Sequence, residues 1–452
     1  MRRKITALWG EKEVILRQTP RAVTPFGGLR VFIAFLQKIG YRQQVSEHLP
    51  VHLQSPNALN PGETFTAFLI SVVAGARRFA PRAVLRADRA LHALLGIERF
   101  PTDDTIRNLF KRFRQGLVVQ FYEPRWAWQL ARVPEGAGGY SLDLDSTVFE
   151  RYGEQEGAKR GYNPRKHGGA SHHPLLAVLG EAGFILHGWL RSGNTRSDSG
   201  VVEFLKEAWA KLESRKWIRV VRADSGFFAQ ELLQYLEGWE LHYIVVARLT
   251  KWLKREAARV QTWRALDETY AVGEFRLQLL GWDRERRFVV VREQWREAKR
   301  ALGRKLLEVP GYTFRVLVTN RAEAPEEIWR DYNQRACIEQ RIEELKSDLA
   351  ADDFCLREFF ATAAAFLGIL MLFNRLGEFQ RATGMSGYRQ PTTLRAQVFL
   401  CGAILGRAAR RTVLHLSAAW GGLDKRNSLF DKLLPDEIPT SPKLQFQPLA
   451  GG

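Results

Sequence analysis

The spacing of apolar and polar positions predicts that the chain opens with helices. Residues 26–135 carry a helical period, and the segment "NPGETFTAFLISVVAGARRF" begins with a complete start signal. Asn60 suits the N-cap, Pro61 the first helical position and Glu63 the third. The segment "PTDDTIRNLFKRFRQ" opens in a similar way and then becomes strongly basic. Such helices suit either a helix-turn-helix-like DNA reader or a scaffold with a solvated basic face.

The period changes to two after a glycine-rich joint, "VPEGAGGY", at 133–140. "YSLDLDSTVFE" alternates, "HPLLAVLGEAGFILHGWL" predicts two strands around a turn at Gly180–Gly183, and "WIRVVRAD" predicts a strand ending at Asp224. "SDSGVVEFLKEAWAKL" predicts a helix with Asp198 or Ser199 near its cap, and "ELHYIVVARL" a further strand. Strands interleaved with helices predict an α/β sheet.

Later segments alternate between strand and helix patterns. Residues 249–320 are β-rich, and "YNQRACIEQRIEELK" after them predicts one helix. The apolar run "FFATAAAFLGILMLF" at 359–373 is shorter than the ~20 residues of a membrane span, so we predict a buried core helix. A last helix is expected around "TTLRAQVFLCGAILGRAARR", before a proline-containing tail.

Charge changes this picture by suggesting a partner. The 452 residues include 68 Lys and Arg against 49 Asp and Glu, a net charge of +19. The excess is dispersed, with basic stretches at 159–166 and 407–411, and it favours nucleic acid over a merely basic enzyme. Three cysteines without metal-site spacing fit a reducing cytoplasm, and the basic start lacks the apolar segment of a secretory signal.

Two strands carry acidic residues where chemistry could occur. Asp143 and Asp145 are two residues apart, so on a strand they share one face, and strand geometry cannot choose between them. Buried acids need a partner or a metal, although an edge strand with a solvated face would also carry them. Asp224 ends a strand, a common position for functional side chains, but an ordinary Asp-Ser-Gly turn looks the same.

A third acid lies on the predicted helix at 332–346. At ~100° per residue, Tyr332, Arg335, Glu339 and Lys346 form one stripe beside an apolar stripe. Surface ion pairs on an amphipathic helix would produce the same spacing, and Glu343 lies only about 40° from Glu339. Three carboxylates suit Mg²⁺ or Mn²⁺, and paired ions of this kind cleave phosphodiester bonds. The apolar stripe consists of Ile338, Ile342, Leu345 and Leu349.

These motifs together resemble the DDE transposases of bacterial insertion sequences, in the branch with the signature Y-x2-R-x3-E-x6-K. The helix at 332–346 matches that signature in full, which points to Glu339. "LDLDST" resembles the first-aspartate motif, D-x-T, and so favours Asp145 over Asp143. "VVRADSGFF" resembles the second-aspartate motif and points to Asp224, while "GYNPRKHGGASHHPLLAVL" resembles the segment between them.

The resemblance implies a ribonuclease H-like α/β core that is interrupted by a β-rich insertion domain. A helical DNA-binding region would precede the core and a helical region would follow it. The implied domains are 1–137 (helical, basic), 138–248 (core, first part), 249–320 (β-rich insertion), 321–378 (core with the Glu helix) and 379–452 (helical region and tail).

The resemblance also implies the chemistry. Asp145, Asp224 and Glu339 would hold two Mg²⁺ ions, which Mn²⁺ could replace, for cleavage at transposon ends and strand transfer to target DNA. Tyr332 and Arg335, together with Lys346, would contact DNA phosphates. The expected partners are the terminal inverted repeats, target DNA and a second copy in a homodimer; no membrane is expected, and the location is the bacterial cytoplasm, at the nucleoid.

Some expectations remain open at this stage. Relatives stack a flipped base on a tryptophan of the insertion, and this chain offers Trp252, Trp263, Trp282 and Trp295. Arg165 and Lys166 would contact the DNA backbone unless their loop is simply solvated. A nuclease that cuts DNA without joining it, and a non-catalytic DNA-binding protein, are the alternative functions.

Overall fold

The computed structural model describes residues 3–417 and 429, with gaps at 8, 10–11, 52, 54–56, 80–82, 137, 164–165, 213–216 and 295–311. The helices of the described residues are α1 (Leu29–Lys38), α2 (Tyr41–His48), α3 (Pro61–Val73), α4 (Ala83–Ala87), α5 (Arg89–Leu95), α6 (Asp103–Phe110), α7 (Gln115–Leu130), α8 (Val201–Trp209), α9 (Gln230–Gly238), α10 (Lys251–Arg259), α11 (Pro325–Asn333), α12 (Ala336–Glu343), α13 (Phe359–Ala382) and α14 (Pro391–Leu394).

The strands are shorter and more numerous. In chain order they are β1 (Arg3–Thr6), β2 (Glu13–Leu16), β3 (Val23–Thr24), β4 (Tyr140–Ser146), β5 (Phe149–Glu150), β6 (Lys159–Arg160), β7 (Ala170–His172), β8 (Leu175–Leu179), β9 (Phe184–Trp189), β10 (Ile218–Ala223), β11 (His242–Val246), β12 (Arg264–Ala265), β13 (Tyr270–Leu277), β14 (Arg286–Gln294), β15 (Tyr312–Thr319), β16 (Ala403–Ala408) and β17 (Arg411–Leu416).

A nine-stranded sheet in the order β12-β13-β14-β15-β11-β10-β4-β8-β9 organises the chain. Its centre, β4, β10 and β11, is parallel, whereas β8, β9 and β15 pair with their neighbours in antiparallel fashion. The predicted mixed α/β class is therefore confirmed. Because β4 and β10 run in the same direction, their carboxyl ends lie at one edge of the sheet, where a site can form.

The β-rich segment does not form a sheet of its own. The strands predicted in 249–320 are present, but β15 pairs with β11 through Ile244–Thr319 to Val246–Leu317, so they extend the core sheet. The period-two pattern predicted the strands correctly, but it carries no information about which edge they join. The predicted domain boundaries remain a prediction, because elements from both sides of them contribute to one hydrophobic core.

Helix α13 is the centre of that core. It is 24 residues long and apolar enough to cross a membrane, but 83% of its most apolar window is buried inside the protein. The predicted buried core helix is thus confirmed and is longer than expected. It also covers the edge of the sheet, since the Asn374 side chain accepts a hydrogen bond from Ile185 N (2.8 Å) and donates to Ile185 O (2.9 Å).

The opening region agrees with its local signals. Asn60 caps α3 by accepting from Gly62 N at 2.8 Å, with Pro61 at the first helical position. Thr102 caps α6 by accepting from Thr105 N at 3.2 Å. The short strands β1 to β3 precede the helices, so the region predicted as helical over 1–137 also contains β structure.

The predicted last helix is wrong over most of its length. Helix α14 and a π-helical turn cover only Pro391–Phe399, and 403–416 form the hairpin β16–β17. The apolar residues of this segment can satisfy either a helical or a strand period. Pairing of β16 with β3 at Ala403–Thr24, 379 positions apart by residue number, favours the strand, and no local pattern reports such a partner.

Candidate active site at the ends of two parallel strands

Asp145 and Asp224 lie at the carboxyl ends of neighbouring parallel strands. Asp145 is the penultimate residue of β4, and Asp224 directly follows β10, whose last residue Ala223 is paired with Leu144. Asp224 also caps the 3₁₀ turn Ser225–Phe227, since it accepts from Gly226 N at 2.9 Å. Asp224 can therefore form this turn and also serve in a functional site, because the cap uses only one of its two carboxylate oxygens.

Asp145 is a largely buried acid among other acids. Its side chain is 14% exposed; Oδ1 accepts from Ser146 N at 2.7 Å, and Oδ2 lies 3.3 Å from Arg335 Nη2. Burial raises the pKa of Asp145 to about 6; Arg335 opposes the shift, and the carboxylates of Asp224 and Glu339 add to it. Asp145 therefore lies within electrostatic range of the other two acids of the resemblance.

Asp143 has a different environment on the same strand. It is fully buried, and Arg222 donates to both of its oxygens, from Nε at 2.6 Å and from Nη2 at 2.9 Å. Burial lowers the pKa of Arg222, but the Asp143 carboxylate more than reverses this effect and leaves it raised. The same guanidinium reaches Asp331 on α11, so Asp143 belongs to a buried ion network that ties the sheet to that helix.

The segment predicted as one helix is interrupted by a turn in the structure. Helix α11 ends at Asn333, α12 begins at Ala336, and a π-helical turn follows at Glu344–Asp348. Arg222 Nη1 donates to the carbonyl of Asp331 at 2.6 Å, and the N–H of Arg335 bonds to Tyr332 O (2.9 Å) instead of to Asp331 O. The segment is helical as predicted, since Gln334 and Arg335 keep helical backbone angles. A turn of shorter hydrogen bonds interrupts it beside the carbonyl that Arg222 contacts.

The signature residues on the two sides of this turn differ in their burial and in their contacts. Tyr332 is buried on α11 and stacks on Trp329, with ring centroids 6.3 Å apart. Arg335 is buried between the helices, where Nη2 donates to Leu144 O at 2.8 Å. Because both are buried rather than presented to solvent, their contact with DNA stays a prediction. The apolar stripe is confirmed: its members are buried or partly buried against the core, namely Ile338, Ile342, Leu345 and Leu349.

Glu339 and Lys346 lie nearer to solvent. The Glu339 side chain is 73% exposed, and its Oε1 lies 3.8 Å from Arg335 Nη1. Lys346, in the π-helical turn, donates to Val148 O at 3.2 Å. Arg335 therefore lies between two of the three predicted ligands, Asp145 and Glu339, and its positive charge partly neutralises them.

A cavity of about 1000 Å³ opens beside these strand ends. Asp224 and Lys346 line it, and the loop that follows β9 closes one side through a hydrogen bond of 2.8 Å between the hydroxyls of Ser146 and Ser197. Its charged lining is evenly divided between basic and acidic side chains, and the acids are Glu150, Asp198, Asp224, Asp352 and Asp353. Its cationic lining consists of Lys346, Arg78, Arg151, Arg196 and Arg248, and its exposed aromatic lining of Tyr152 and Tyr162.

Sequence reasoning did not single out the two exposed tyrosines of this cavity. Their only sequence signal is their position in the loop between the first two aspartates. Lys166, which was predicted to bind DNA, instead places its ammonium 4.6 Å from the ring centre of Tyr152, so its DNA contact stays a prediction. Arg165 lies outside the described residues.

The tryptophans proposed for base stacking are mostly engaged in packing. Trp263 lies under the Arg292 guanidinium at 4.3 Å, and Trp282 packs on Phe228 at 5.1 Å. Trp252, on α10, is exposed. Trp295 lies outside the described residues. No tryptophan lines the cavity in the described part of the chain.

Comparison with known proteins gives a family. The sequence profile described as "Transposase DDE domain group 1" matches residues 7–435. No curated protein matches the chain. Among solved structures, the chain is similar to the piggyBac transposase in its cryo-EM synaptic complex with hairpin DNA, at 13% identity and a TM-score of 0.46, with 95% of this chain and 91% of that one covered. A TM-score of this size does not by itself establish a shared fold.

Proposed function

The chain belongs to the family of group 1 transposase DDE domains, and from this premise we propose what this DDE transposase does. It binds the terminal inverted repeats of an insertion sequence, cleaves the DNA at the element's ends and joins the freed 3′-hydroxyl ends to target DNA. The Y-x2-R-x3-E-x6-K branch, a ribonuclease H-like core and a bacterial, nucleoid-associated location belong to the same proposal.

One observation carries the proposal. Asp145 and Asp224 end neighbouring parallel strands at the edge of the sheet where Asp224 and Lys346 line the cavity. Arg335 lies 3.3 Å from Asp145 and 3.8 Å from Glu339. Acids beside a cavity whose lining also carries Lys346 and four arginines suit metal-assisted chemistry on a phosphodiester, because the ions neutralise the acids and the cations hold the phosphates. A protein that only binds DNA gains nothing from carboxylates that face phosphate.

We assign Asp145, Asp224 and Glu339 as the ligands of two Mg²⁺ ions, for which Mn²⁺ can substitute. Their carboxylate oxygens are the hard ligands that these ions prefer. When bound, the ions supply activation of the attacking oxygen and stabilisation of the leaving oxygen. Among the described residues, no three acidic, His or Cys side chains already form a metal-holding group, so the exposed Glu339 carboxylate would move toward the aspartates.

Asp145 is the better first aspartate than Asp143. Both oxygens of Asp143 already accept from Arg222, and removing that partner would leave a buried charge uncompensated. Asp145 has one oxygen beside Arg335 at 3.3 Å and the acids of the site nearby. An incoming metal ion would reduce the repulsion between Asp145 and the neighbouring acids. At Asp143 it would have to compete with Arg222 for the carboxylate oxygens.

DNA would bind through the cationic residues that line the cavity. Lys346 and four arginines line it, and the chain carries a net charge of +19, so the phosphate backbone provides the first attraction. Tyr332 and Arg335 are both buried, so they would help to position the DNA from beneath the surface of the site. Two copies of the chain would hold the two element ends, which is the homodimer expected from the resemblance.

The test supplies Mg²⁺ and a duplex that carries the terminal repeats flanking the reading frame. The proposal predicts cleavage at the repeat end and joining of the 3′-hydroxyl to a target duplex. Asp224→Asn is expected to abolish both reactions and to leave binding of the repeats intact. Glu237→Gln is a control for loss of an acid, since Glu237 pairs with Arg286 outside this cavity.

The alternatives give different results. Cleavage without joining would support a nuclease, and binding without cleavage by the wild-type protein would support a non-catalytic DNA-binding protein. Equal activity of Asp224→Asn and wild type would contradict the assignment of the site.

A further inference from the structure

The hairpin β16–β17 projects from a rigid base. Ala403 and Ile404 pair with Thr24 and Val23, and Cys401 N donates to Pro25 O at 2.8 Å. Thr24 and Cys401 are fully buried, and Ala403 is nearly so. The chain beyond this base reverses at Ala409, whose φ of 53° lies in the left-handed region. The hairpin is therefore held firmly at one end and free at its tip.

The tip of the hairpin carries an arginine on each face of the ribbon and one in the turn. Arg407 and Arg411 are exposed, and Arg410 lies in the turn. The register pairs Arg407 with Thr412 and Ala408 with Arg411, so the two strand arginines point to opposite faces of the ribbon. The segment 403–416 contains no acidic residue, and in the described part of the chain none of these arginines has an ion-pair partner.

A fourth cation lies beside the ribbon. Ala22 O accepts a hydrogen bond from Leu405 N at 2.8 Å, which places the exposed Arg21 next to β16. Some exposed arginines elsewhere pair with acids, as Arg276 does with Glu285 (3.8 Å) and Arg284 with Asp283 (2.9 Å). The hairpin tip thus concentrates three arginines within residues 407–411, in a segment that contains no acid to neutralise them.

We propose that the tip of the β16–β17 hairpin is a second DNA-binding site, which grips the phosphate backbone of duplex DNA outside the catalytic cavity. A two-stranded ribbon is narrow enough to enter the major groove, which is ~12 Å wide. Arginines on both faces and at the turn then meet phosphates of both groove walls. None of the site residues assigned above lies on this hairpin. This inference rests on the proposed function in one respect, namely that DNA is the partner.

The proposed contacts of the tip are to the DNA backbone, although arginine can also hydrogen-bond to guanine in the major groove. The residues beside the arginines are Gly406, Ala408, Ala409 and Thr412, and none of them is an amide side chain of the kind that pairs with adenine. Phosphate contacts release counterions, so each one contributes to the salt dependence of binding irrespective of sequence.

The experiment uses the full-length protein and two duplexes, one with the terminal repeat and one of unrelated sequence. Binding is measured against salt for wild type and for the triple variant Arg407→Gln, Arg410→Gln, Arg411→Gln. Each lost phosphate contact lowers the salt slope by ~0.9, so we expect a fall of roughly 2–3 on both duplexes. Cleavage by saturating protein is expected to stay within about twofold, because none of the three arginines lines the cavity or belongs to the assigned acids.

Two controls isolate the site. The double variant Arg276→Gln, Arg284→Gln removes exposed but paired arginines, and its salt slope should stay that of wild type. The triple Lys variant at 407, 410 and 411 keeps the charge and should restore most of the slope. If the triple Gln variant unfolds, Arg410→Gln alone, at the exposed turn, should lower the slope by ~0.9.

The experiment distinguishes a failure of the proposed hairpin site from a failure of the proposed function. An unchanged salt slope in a folded triple variant that still cuts DNA overturns this inference and leaves the proposed function standing. A slope that falls on the terminal repeat only would also overturn it, since it would indicate reading of bases. A wild-type protein that neither binds nor cuts DNA would contradict the proposed function itself.

Discussion

Two carboxylates on one strand, Asp143 and Asp145, have opposite surroundings. They are two residues apart on β4 and share a face of the sheet. Asp143 is fully buried, and both of its carboxylate oxygens accept hydrogen bonds from Arg222. Asp145 lies at the open end of the strand, where neighbouring acids help to raise its pKa to about 6.

The difference separates a structural acid from a reactive one. Asp143 has its cation built into the protein, so it fixes α11 against the sheet through Arg222 and Asp331. Asp145 shares its cationic neighbour, Arg335 at 3.3 Å, with Glu339. The charges of Asp224 and Glu339 also act on it. An acid that the fold leaves under-compensated is available to a metal ion, whereas one that is already compensated is not. The following predictions, from largest effect to smallest, test this division.

The largest effect is expected from Glu339→Gln. Replacing a charged ligand by a neutral one weakens metal binding, and we expect DNA cleavage in Mg²⁺ to fall by roughly 10³-fold or more. Initial rates of cleavage of a terminal-repeat duplex measure it. The matched control is Glu343→Gln, one turn along and paired with Ser347 Oγ, which should retain cleavage within about threefold. The reverse result would move the ligand to Glu343.

On the structural side, Arg222→Met should unfold the protein more easily. It leaves Asp143 buried without a cation, at a cost of about 3–5 kcal/mol in the free energy of unfolding. Urea denaturation measures this change. Arg196→Met breaks the exposed pair with Asp198 and should cost about 0–1 kcal/mol. Equal stability of the two variants would remove the distinction between the buried network and an ordinary surface pair.

On the reactive side, Asp145→Asn should stabilise the metal-free protein. A carboxyl whose folded pKa is about 6 instead of its usual ~4 makes the ionised folded state unfavourable by roughly 2–3 kcal/mol. The gain is complete above pH 6 and is lost as the pH falls from 6 to 4, since Asp145 is then protonated in both states. Thermal unfolding in EDTA at pH 7.5 and pH 4 measures this gain. A destabilised variant at pH 7.5 would place Asp145 in the same class as Asp143.

The smallest effect is expected from Lys346→Ala. Loss of one phosphate contact should lower the salt slope of DNA binding by ~0.9 and weaken binding several-fold at low salt. Lys206→Ala, on the exposed face of α8 near Glu203, is the control and should change neither quantity. A slope that Lys346→Ala does not alter would remove Lys346 from the basic lining that faces DNA.

Local signals predicted much of the fold. The caps Asn60 and Thr102, the turn at 180–183 and the strand that ends before Asp224 are all found where the pattern places them. These features depend on residues a few positions apart, so the sequence contains their causes. The placement of β15 beside β11 and of β16 beside β3 depends on distant partners. The prediction of a last helix failed there, and the insertion domain stays a prediction.

The sequence alone determined the identity of the acids, their order and the periodic faces on which they lie, because spacing along a strand or helix is a local property. Only the tertiary structure decided which acid is compensated and which is open. The decisive residue is Arg222, which donates to both oxygens of Asp143 and to the carbonyl of Asp331, 109 positions away, beside the turn that interrupts the signature helix. Whether a charge is paired depends on what folding brings to it, and spacing along the chain does not report that.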